Sequence, residues 1–287
     1  MSSISAGAEV LITRDSEQFA EAAGAFLAAR VERNVLASVL EQVRGGQGAV
    51  GTLFAIVRGA EGQIVTAALR TPPWPLLVTD VQEAEARALA LAWLAEDPAI
   101  PGASGEPASV RAFVAAWSAL TGARSWLRAS EAMHALSEVV PPGRPAGGSL
   151  RLADGGQLAL LAAWEREFVL EAGTGVLDAA EDTVRARLAA GREFVWDDGG
   201  PVCALAHSPL IAGTVRIGPV YTPPERRCRG YASSAVAALA QRALEGGATR
   251  VMLYTDLANP TSNKIYATIG FRRFGSWEDH LVGESAG

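Results

Sequence analysis

Two hydrophobic periods follow one another in the second half of the chain. Residues Thr214–Tyr221, with apolar side chains at Val215, Ile217 and Val220, end before Pro223 and Pro224. Prolines lack a backbone donor, so this segment is predicted to be a strand that ends there. From Tyr231 to Glu245 apolar residues recur at i, i+3, i+4 and i+7, and two glycines follow. This recurrence predicts a helix with one buried face. The pattern therefore predicts a strand, a short loop containing Gly230, and a helix.

The strand and helix periodicities predict the same order of elements in each half of the chain. The first half is predicted to contain a strand at 9–14, helices at 15–31 and 33–44, a hairpin of 53–58 with 63–69, a strand at 74–79, a helix at 83–96, a short segment at 99–103, a helix at 108–121 and a strand at 125–136. The second is predicted to contain a strand at 149–153, helices at 156–172 and 178–190, strands at 193–197, 202–208 and 213–221, a helix at 231–245, a strand at 250–255, a helix at 260–268 and a strand at 271–282. A repeat of this length indicates two copies of one domain.

Length and composition agree with two domains. The chain has 287 residues, of which 49% are hydrophobic and 20% charged, so each half can bury its own core. The stretch 141–148 is rich in proline and glycine and is predicted to be a linker. The expected division is an N-terminal domain at 1–140, the linker at 141–148, and a second domain at 149–287.

Charge and residue usage exclude several function classes. A net charge of −6 argues against a nucleic-acid-binding protein. Cys203 and Cys228 form no CxxC pair and indicate a reducing compartment without a structural disulfide or zinc site. The three histidines lack metal-ligand spacing, so no metal is expected. No long apolar segment or signal peptide is recognisable. We therefore expect a cytoplasmic protein, monomeric or homodimeric, that does not enter a membrane.

The loop between the predicted strand and helix has the chemistry of an anion site. Arg226, Arg227 and Arg229 outnumber Glu225, although the chain as a whole is acidic. Helix N-termini carry unpaired N–H groups and a partial positive charge, which favour bound phosphate. Gly230 would let a ligand approach the backbone closely. An ordinary strand–helix turn with solvated arginines is the alternative interpretation.

A second polar pattern follows the next predicted strand. Pro260 suits the first position of a helix capped by Asn259. Asn259, Asn263 and Tyr266 then lie at i, i+4 and i+7 and share one helix face. Polar side chains on one face beside a phosphate loop indicate a binding site.

These two motifs resemble those of a known family. The run Arg227-x-x-Gly230-x-Ala232 is similar to the pyrophosphate-binding motif of the GNAT superfamily of N-acetyltransferases, and the Asn259–Tyr266 segment resembles its second cofactor motif. The resemblance covers roughly residue 149 to the end of the chain. It implies an α/β (α+β) fold with two GNAT-like domains in tandem, each a mixed, mostly antiparallel sheet flanked by helices.

The resemblance also implies an activity and a site. The activity is transfer of an acetyl group from acetyl-CoA to a primary amine of a small molecule or peptide, by direct attack on the thioester. Pantetheine would pair with the backbone around Val220, pyrophosphate would bind the loop, and Tyr266 would give a proton to the leaving thiolate. The implied cofactor-binding residues are Val220, Tyr221, Thr222, Arg227, Cys228, Arg229, Gly230, Tyr231, Ala232, Ser233, Asn259, Asn263 and Tyr266.

The general base stays open. The predicted strand 213–221 contains no glutamate, and the candidates are Asp256, Glu165, Glu171, Glu278 or a base acting through water. A non-catalytic CoA-binding or sensory module is the alternative function.

The first half lacks both motifs. Its equivalent loop, Val78–Ala86, has no glycine and contains three acidic residues. Carboxylates at a helix N-terminus stabilise the helix but repel phosphate. We therefore expect only the C-terminal half to bind the cofactor, with the N-terminal half as a degenerate copy.

Overall fold

The computed structural model describes residues 3–5, 8–173, 175–258 and 260–283. Contacts divide the chain into two compact units: one comprises residues up to 130 together with those from 276 onward, and the other comprises residues 131–275. The sequence placed the division at 141–148 instead. The chain passes between units inside two long strands, Arg124–Leu136 and Arg272–Gly283. No helix of the described residues is long and apolar enough to cross a membrane.

The N-terminal unit is a sheet flanked by four helices. Its elements are β1 (Ser3–Ser5), β2 (Ala8–Thr13), α1 (Ser16–Ala28), α2 (Asn34–Gln42), β3 (Leu53–Arg58), β4 (Ile64–Arg70), β5 (Leu76–Thr79), α3 (Glu83–Glu96), β6 (Gly102–Gly105) and α4 (Pro107–Thr121), completed by residues 276–283. Strands β1 to β5 pair antiparallel in sequence order, β5 pairs with β6 in parallel, and β6 pairs antiparallel with residues 278–281. Trp93 of α3 and Phe113 of α4 are fully buried in its core.

The C-terminal unit repeats this order. Its elements are β7 (Arg124–Leu136, from residue 131), β8 (Ser149–Leu152), α5 (Leu158–Ala172), α6 (Ala180–Ala189), β9 (Glu193–Asp197), β10 (Pro201–His207), β11 (Thr214–Tyr221), α7 (Tyr231–Glu245), β12 (Arg250–Asp256), α8 (Pro260–Thr268) and β13 (Arg272–Gly283, up to residue 275). The sheet order is β8-β9-β10-β11-β12-β7, and the β11–β12 pair is parallel whereas the other pairs are antiparallel. The predicted fold class and duplication are confirmed.

The two faces of the C-terminal sheet bury different helices. Side chains alternate along β10, so Leu205 packs with α7 and Ala204 packs with Trp164 of α5. The shift in register between β10 and β11 reverses the faces of β11, so Ile217 lies in the α7 cluster whereas Tyr221 lies in the α5 cluster. Tyr221, the last residue of β11, therefore faces α5 at the end of the strand. The loop from Tyr221 to α7 joins the two faces, and the candidate site is built around it.

Candidate active site

The loop before α7 brings its backbone into a tight turn. A 3-10 turn at Pro224–Arg226 follows β11. Cys228 and Gly230 then adopt left-handed conformations, with φ of 62° and 80°. A left-handed φ is free of strain only for glycine, which accounts for the residue type at Gly230, immediately before the first residue of the helix.

The N-terminus of α7 is left without a side-chain cap. Its first backbone hydrogen bond runs from the N–H of Ser234 to the carbonyl of Gly230 (3.0 Å). The Ser233 hydroxyl donates to that same carbonyl (3.0 Å) and so does not cap the N–H groups. The N–H groups of residues 231–233 therefore precede the first helical hydrogen bond, which is the arrangement that binds anions.

The arginines of this loop are not equivalent. Arg227 donates through its NH2 group to both carboxylate oxygens of Glu171 (2.7 and 2.8 Å) and through Nε to the carbonyl of Thr222 (2.8 Å). Its guanidinium also lies 5.7 Å from the ring centroid of Tyr221. Arg227 is thus engaged by a carboxylate, whereas exposed Arg226 and Arg229 keep their charge beside the helix N-terminus without a carboxylate partner among the described ion pairs.

Strands β11 and β12 separate before they end. Their parallel pairing covers Thr214 with Arg250 through Ile217 with Leu253. Beyond this point β11 continues to Tyr221 while paired only with β10, in a register that shifts between Leu205 and His207. The backbone of residues 218–221 therefore lies beside β10 and has left β12. A strand edge opened in this way can pair with an extended ligand.

Tyr221 is the link between this strand and α5. It is 5% exposed, and its hydroxyl donates to the Glu167 carboxylate at 2.7 Å. Trp164 packs against the ring, with centroids 6.3 Å apart. Burial raises the pKa of Tyr221, and the hydrogen bond to the carboxylate raises it further. The hydroxyl is therefore a donor at neutral pH, and it holds the Glu167 carboxylate at the end of β11.

Tyr266 is buried on the opposite face of the sheet. It is 8% exposed, and its ring meets Phe271 edge-on at 6.1 Å. Burial raises the pKa of Tyr266, and nearby Cys203 adds to the rise, so the phenol stays protonated at neutral pH. Asn259 and the side chain of Asn263 lie outside the described residues.

The residues expected to hold a cofactor differ in exposure. Arg227, Cys228 and Arg229 are exposed, Val220, Thr222, Gly230, Ala232 and Ser233 are half-buried, and Tyr221, Tyr231 and Tyr266 are buried. The Tyr231 hydroxyl donates to Asp198 (2.6 Å), a contact that raises the pKa of Tyr231 and ties the start of α7 to the turn after β9.

The four candidate bases lie in different places. Glu165 accepts from Arg187 (2.9 Å), and Asp256 accepts from the backbone N–H of residue 258 (2.8 Å). Glu278 belongs to the N-terminal unit, where it pairs with an arginine and a histidine. Glu171 lies beside the β11–α7 loop through its ion pair with Arg227.

Glu167 was not among the site residues predicted from the sequence. The spacing could have indicated this residue, because Glu167 and Glu171 are four residues apart and share one helix face. Trp164, three residues before Glu167, lies on the same face. What the sequence did not supply was the partner, since Tyr221 is 54 residues further along the chain.

The comparisons with known proteins agree with this geometry. Residues 159–271 match the model of the acetyltransferase (GNAT) family. A tandem GNAT protein from the clavulanic acid biosynthesis pathway is similar over 98% of this chain and 99% of its own, with a TM-score of 0.60 and 15% identity. A GCN5-related N-acetyltransferase from Sphaerobacter thermophilus is similar over 94% of each chain (TM-score 0.57, 17% identity).

A GNAT-family acetyltransferase from Colwellia psychrerythraea is similar over 96% of this chain and 99% of its own (TM-score 0.57, 12% identity). No curated protein sequence matches the chain. At these identities the solved structures establish the fold, and the family model covers the segment that carries β11, α7 and β12. Residues 159–271 thus match the model of the GNAT acetyltransferase family, and the chain has the fold of two-domain GNAT structures.

Proposed function

We propose that the protein is an acetyl-CoA-dependent N-acetyltransferase whose acyl donor binds the C-terminal unit. The observation that carries this proposal is the separation of β11 from β12 after Ile217, directly before the uncapped N-terminus of α7. An extended chain ending in phosphates needs both features, because the open strand edge pairs with its amides and the helix terminus binds its charge.

The residues present fit this donor. The N–H groups at 231–233 and the exposed guanidiniums of Arg226 and Arg229 would hold the pyrophosphate, while the backbone of Val220–Thr222 would hold the pantetheine. Gly230 adopts the left-handed φ of 80° that turns the loop into the first residue of α7 without strain. When bound, acetyl-CoA supplies a thioester whose carbonyl carbon is open to attack by an amine.

Tyr266 is the residue we assign as proton donor to the departing sulfur. The support is its position in the family motif, and its phenol is protonated at neutral pH, as tyrosines ordinarily are. Acid catalysis by a positioned side chain contributes about 10²–10⁴-fold to a rate. Asn259 and Asn263 remain proposed contacts to the donor on the strength of the motif alone.

The test is a calorimetric titration of acetyl-CoA into the whole protein, read for both affinity and stoichiometry. We expect one site per chain, followed by acetyl transfer to an amine. Two sites per chain would contradict the assignment to the C-terminal unit. Absence of binding at millimolar acetyl-CoA would overturn the proposed function, and binding without turnover on a broad set of amines would favour a non-catalytic CoA-binding module.

A further inference from the structure

Arg216 places a positive charge on an inner strand of the C-terminal sheet. It is the third residue of β11 and is half-buried. Because side chains alternate along a strand and Ile217 packs with α7, Arg216 projects from the other face, where Val195 and Ala204 pack with α5 and α6. Charged side chains are almost never withdrawn from water unless they are paired, so this position calls for a partner.

The fold supplies no carboxylate in contact with Arg216. Its guanidinium lies 5.9 Å from the ring centroid of Tyr254 on β12, but among the residues that the structure describes it forms no ion pair. Burial lowers the pKa of Arg216, and Tyr254 and the more distant Glu131 restore only part of the loss, while Arg187 adds to it. An aromatic face and a remote carboxylate therefore leave part of the cost of burying this charge without compensation.

Arg187 shows how the same unit satisfies a buried arginine. It lies on α6 and pairs with Glu165 at 2.9 Å, and Glu193 is 3.8 Å away. Burial lowers the pKa of Arg187, but these two carboxylates raise it by more. Arg216 has no such pair, so one positive charge on this face remains for a ligand to neutralise.

Arg216 lies directly before the point where β11 and β12 separate. It pairs in register with Met252, and Ile217 with Leu253 is the last pair of the two strands. The open edge, along which we propose that the acyl donor binds, begins at Gly218. That residue is two positions, or about 7 Å, along the strand from Arg216. A small molecule held by Arg216 would therefore have its other end at the strand opening.

We propose that Arg216 binds a carboxylate of the amine that accepts the acetyl group, so that the acceptor is a small amino acid. This inference rests on the proposed function and names its acceptor class. The planar guanidinium presents paired N–H donors that match the two oxygens of a carboxylate, and a single positive charge suits a monoanion. Because Arg216 is close to the strand opening, the carboxylate and the amine are separated by only a few bonds, as in an α- or β-amino acid. Tyr254 is a positioning residue that packs against the guanidinium.

The first experiment measures acetylation of matched acceptors by the release of the free thiol of CoA. The panel contains the common α-amino acids and β-alanine, each compared with its carboxamide, which keeps the amine and removes the negative charge. Rates are expressed per unprotonated amine, because the carboxamide lowers the pKa of the amine. For the best acceptor, we expect kcat/KM of the amino acid to exceed that of its carboxamide about 10–100-fold, since a charge-assisted contact is lost.

The second experiment repeats this comparison with three variants. Arg216→Gln should abolish the preference for the carboxylate while the affinity for acetyl-CoA stays unchanged. Arg216→Lys should keep about a tenth of the preference, because it retains the charge but loses the bidentate geometry. Arg192→Gln is the matched control. Arg192 is also half-buried, and burial lowers its pKa, but it precedes β9, two strands away from β11, and its variant should keep the full preference.

Thermal unfolding without ligand gives a readout that does not depend on activity. Arg216→Gln should leave the unfolding midpoint unchanged or raise it, because no ion pair is broken and a poorly compensated charge is removed. Arg187→Gln should lower the midpoint, because it leaves two carboxylates without their cation. A fall of equal size in the Arg216 variant would identify Arg216 as a structural residue and overturn the inference.

The outcomes separate this inference from the function on which it rests. If acetyl-CoA does not bind the unaltered protein, the proposed function itself fails. If acetyl-CoA binds but no amino acid is acetylated, or the amino acids and their carboxamides react equally, the carboxylate site is wrong. If Arg216→Gln loses affinity for acetyl-CoA, the guanidinium contacts the donor and its assignment to the acceptor is wrong. Loss of the carboxylate preference with acetyl-CoA affinity intact is the result that supports it.

Discussion

The two units carry the same parallel strand pair in two different states. In the C-terminal unit, β11 runs four residues beyond its last pairing with β12, from Gly218 to Tyr221. In the N-terminal unit, β5 and β6 remain paired from Leu76 with Ala103 to Val78 with Gly105, one residue before β5 ends. A duplicated fold thus contains one open strand pair and one closed pair.

Glycines hold the closed pair together. A Cβ at Gly105 would meet the carbonyl oxygen of Val78 at 2.5 Å, and a Cβ at Gly102 would meet that of His280 at 2.0 Å. Both contacting atoms belong to the backbone and cannot move aside, so only glycine fits at these two positions. β6 is therefore held between β5 and residues 278–281, which leaves no opening for a ligand.

The loops that follow the two strand pairs also differ in charge. The C-terminal loop leads through Gly230 to an uncapped helix N-terminus. In the N-terminal unit, Asp80 occupies the corresponding loop at φ 54° and pairs with Arg33 and Arg30. A built-in carboxylate neutralises the arginines that a phosphate would need. Both α7 and α3 begin without a side-chain cap, so the two units differ in their strand pair and in the charge of this loop rather than in the helix terminus.

The largest effect is expected from Gly230→Glu. A side chain at a left-handed φ, with a negative charge at the phosphate position, should abolish acetyl-CoA binding in calorimetry. Gly122→Glu is the matched control, because Gly122 has φ 76° and its added Cβ would meet nothing within 4 Å; it lies in the N-terminal unit and should bind normally. Full affinity in the Gly230 variant would contradict the assignment of the phosphate loop.

The second prediction concerns the pH dependence of stability that the buried carboxyl group of Glu193 causes. Glu193 is 2% exposed, and burial raises its pKa to about 7, although Arg187 partly offsets the rise; Arg187 is shared with Glu165. Between about pH 4.5 and 7 the unfolded chain loses this proton while the folded unit keeps it, so stability falls as pH rises through that range and levels off above it.

The expected size is at most about 3.4 kcal/mol, because the pKa is about 7 in the folded chain against 4.5 when unfolded. Glu193→Gln should remove most of this decline when unfolding is followed by denaturant titration at pH 5 and pH 8. The exposed Glu181→Gln variant should retain it. An unchanged decline in the Glu193 variant would mean that another group titrates.

Tyr266→Phe tests the proposed proton donor of the C-terminal unit. We expect kcat to fall about 100-fold, which corresponds to about 2.7 kcal/mol, while acetyl-CoA binding remains intact because the ring and its packing are kept. Initial rates and calorimetry on the same preparation measure the two effects. Unchanged turnover would remove the role of proton donor from Tyr266 and leave it as a core residue.

The smallest effect is expected from Asp80→Asn in the N-terminal unit. Arg33, which is 6% exposed, would lose its ionic partner, and the unfolding free energy of this unit should fall by about 1–2 kcal/mol. Glu96→Gln breaks an exposed pair with Arg14 and should cost little. Acetyl-CoA stoichiometry should stay at one per chain in both variants; a second site after Asp80→Asn would show that the carboxylate alone had closed it.

Local chemistry made the elements predictable. The bounds of α3 and α7 agree at both ends with the predicted 83–96 and 231–245, and glycine or proline punctuation fixed most other ends to within about two residues. The strand expected from 74 begins at Leu76 instead, after Pro75, whose missing donor keeps it out of the ladder.

The site was predictable only in part. The loop before α7 and Tyr266 could be proposed as site residues because each belongs to a motif that is contiguous in sequence. The ion pair of Arg227 with Glu171 and the hydrogen bond of Tyr221 with Glu167 join residues 56 and 54 positions apart, which no local period encodes. The unit boundary was missed for the same reason, since residues 276–283 were assigned by sequence proximity.

Residues 276–283, which complete the sheet of the N-terminal unit although they lie near the end of the chain, have a consequence for biosynthesis. The hydroxyl of Ser104 in β6 donates to Asp279, which lies 175 residues later in the chain, and Arg111 of α4 pairs with Glu278. While the ribosome is still making the second unit, β6 has an unpaired edge, and the first unit waits for a strand that is translated after it. Domains usually complete folding in the order of their synthesis; here the first unit to emerge is the one that closes last, and a truncated translation product would expose that edge.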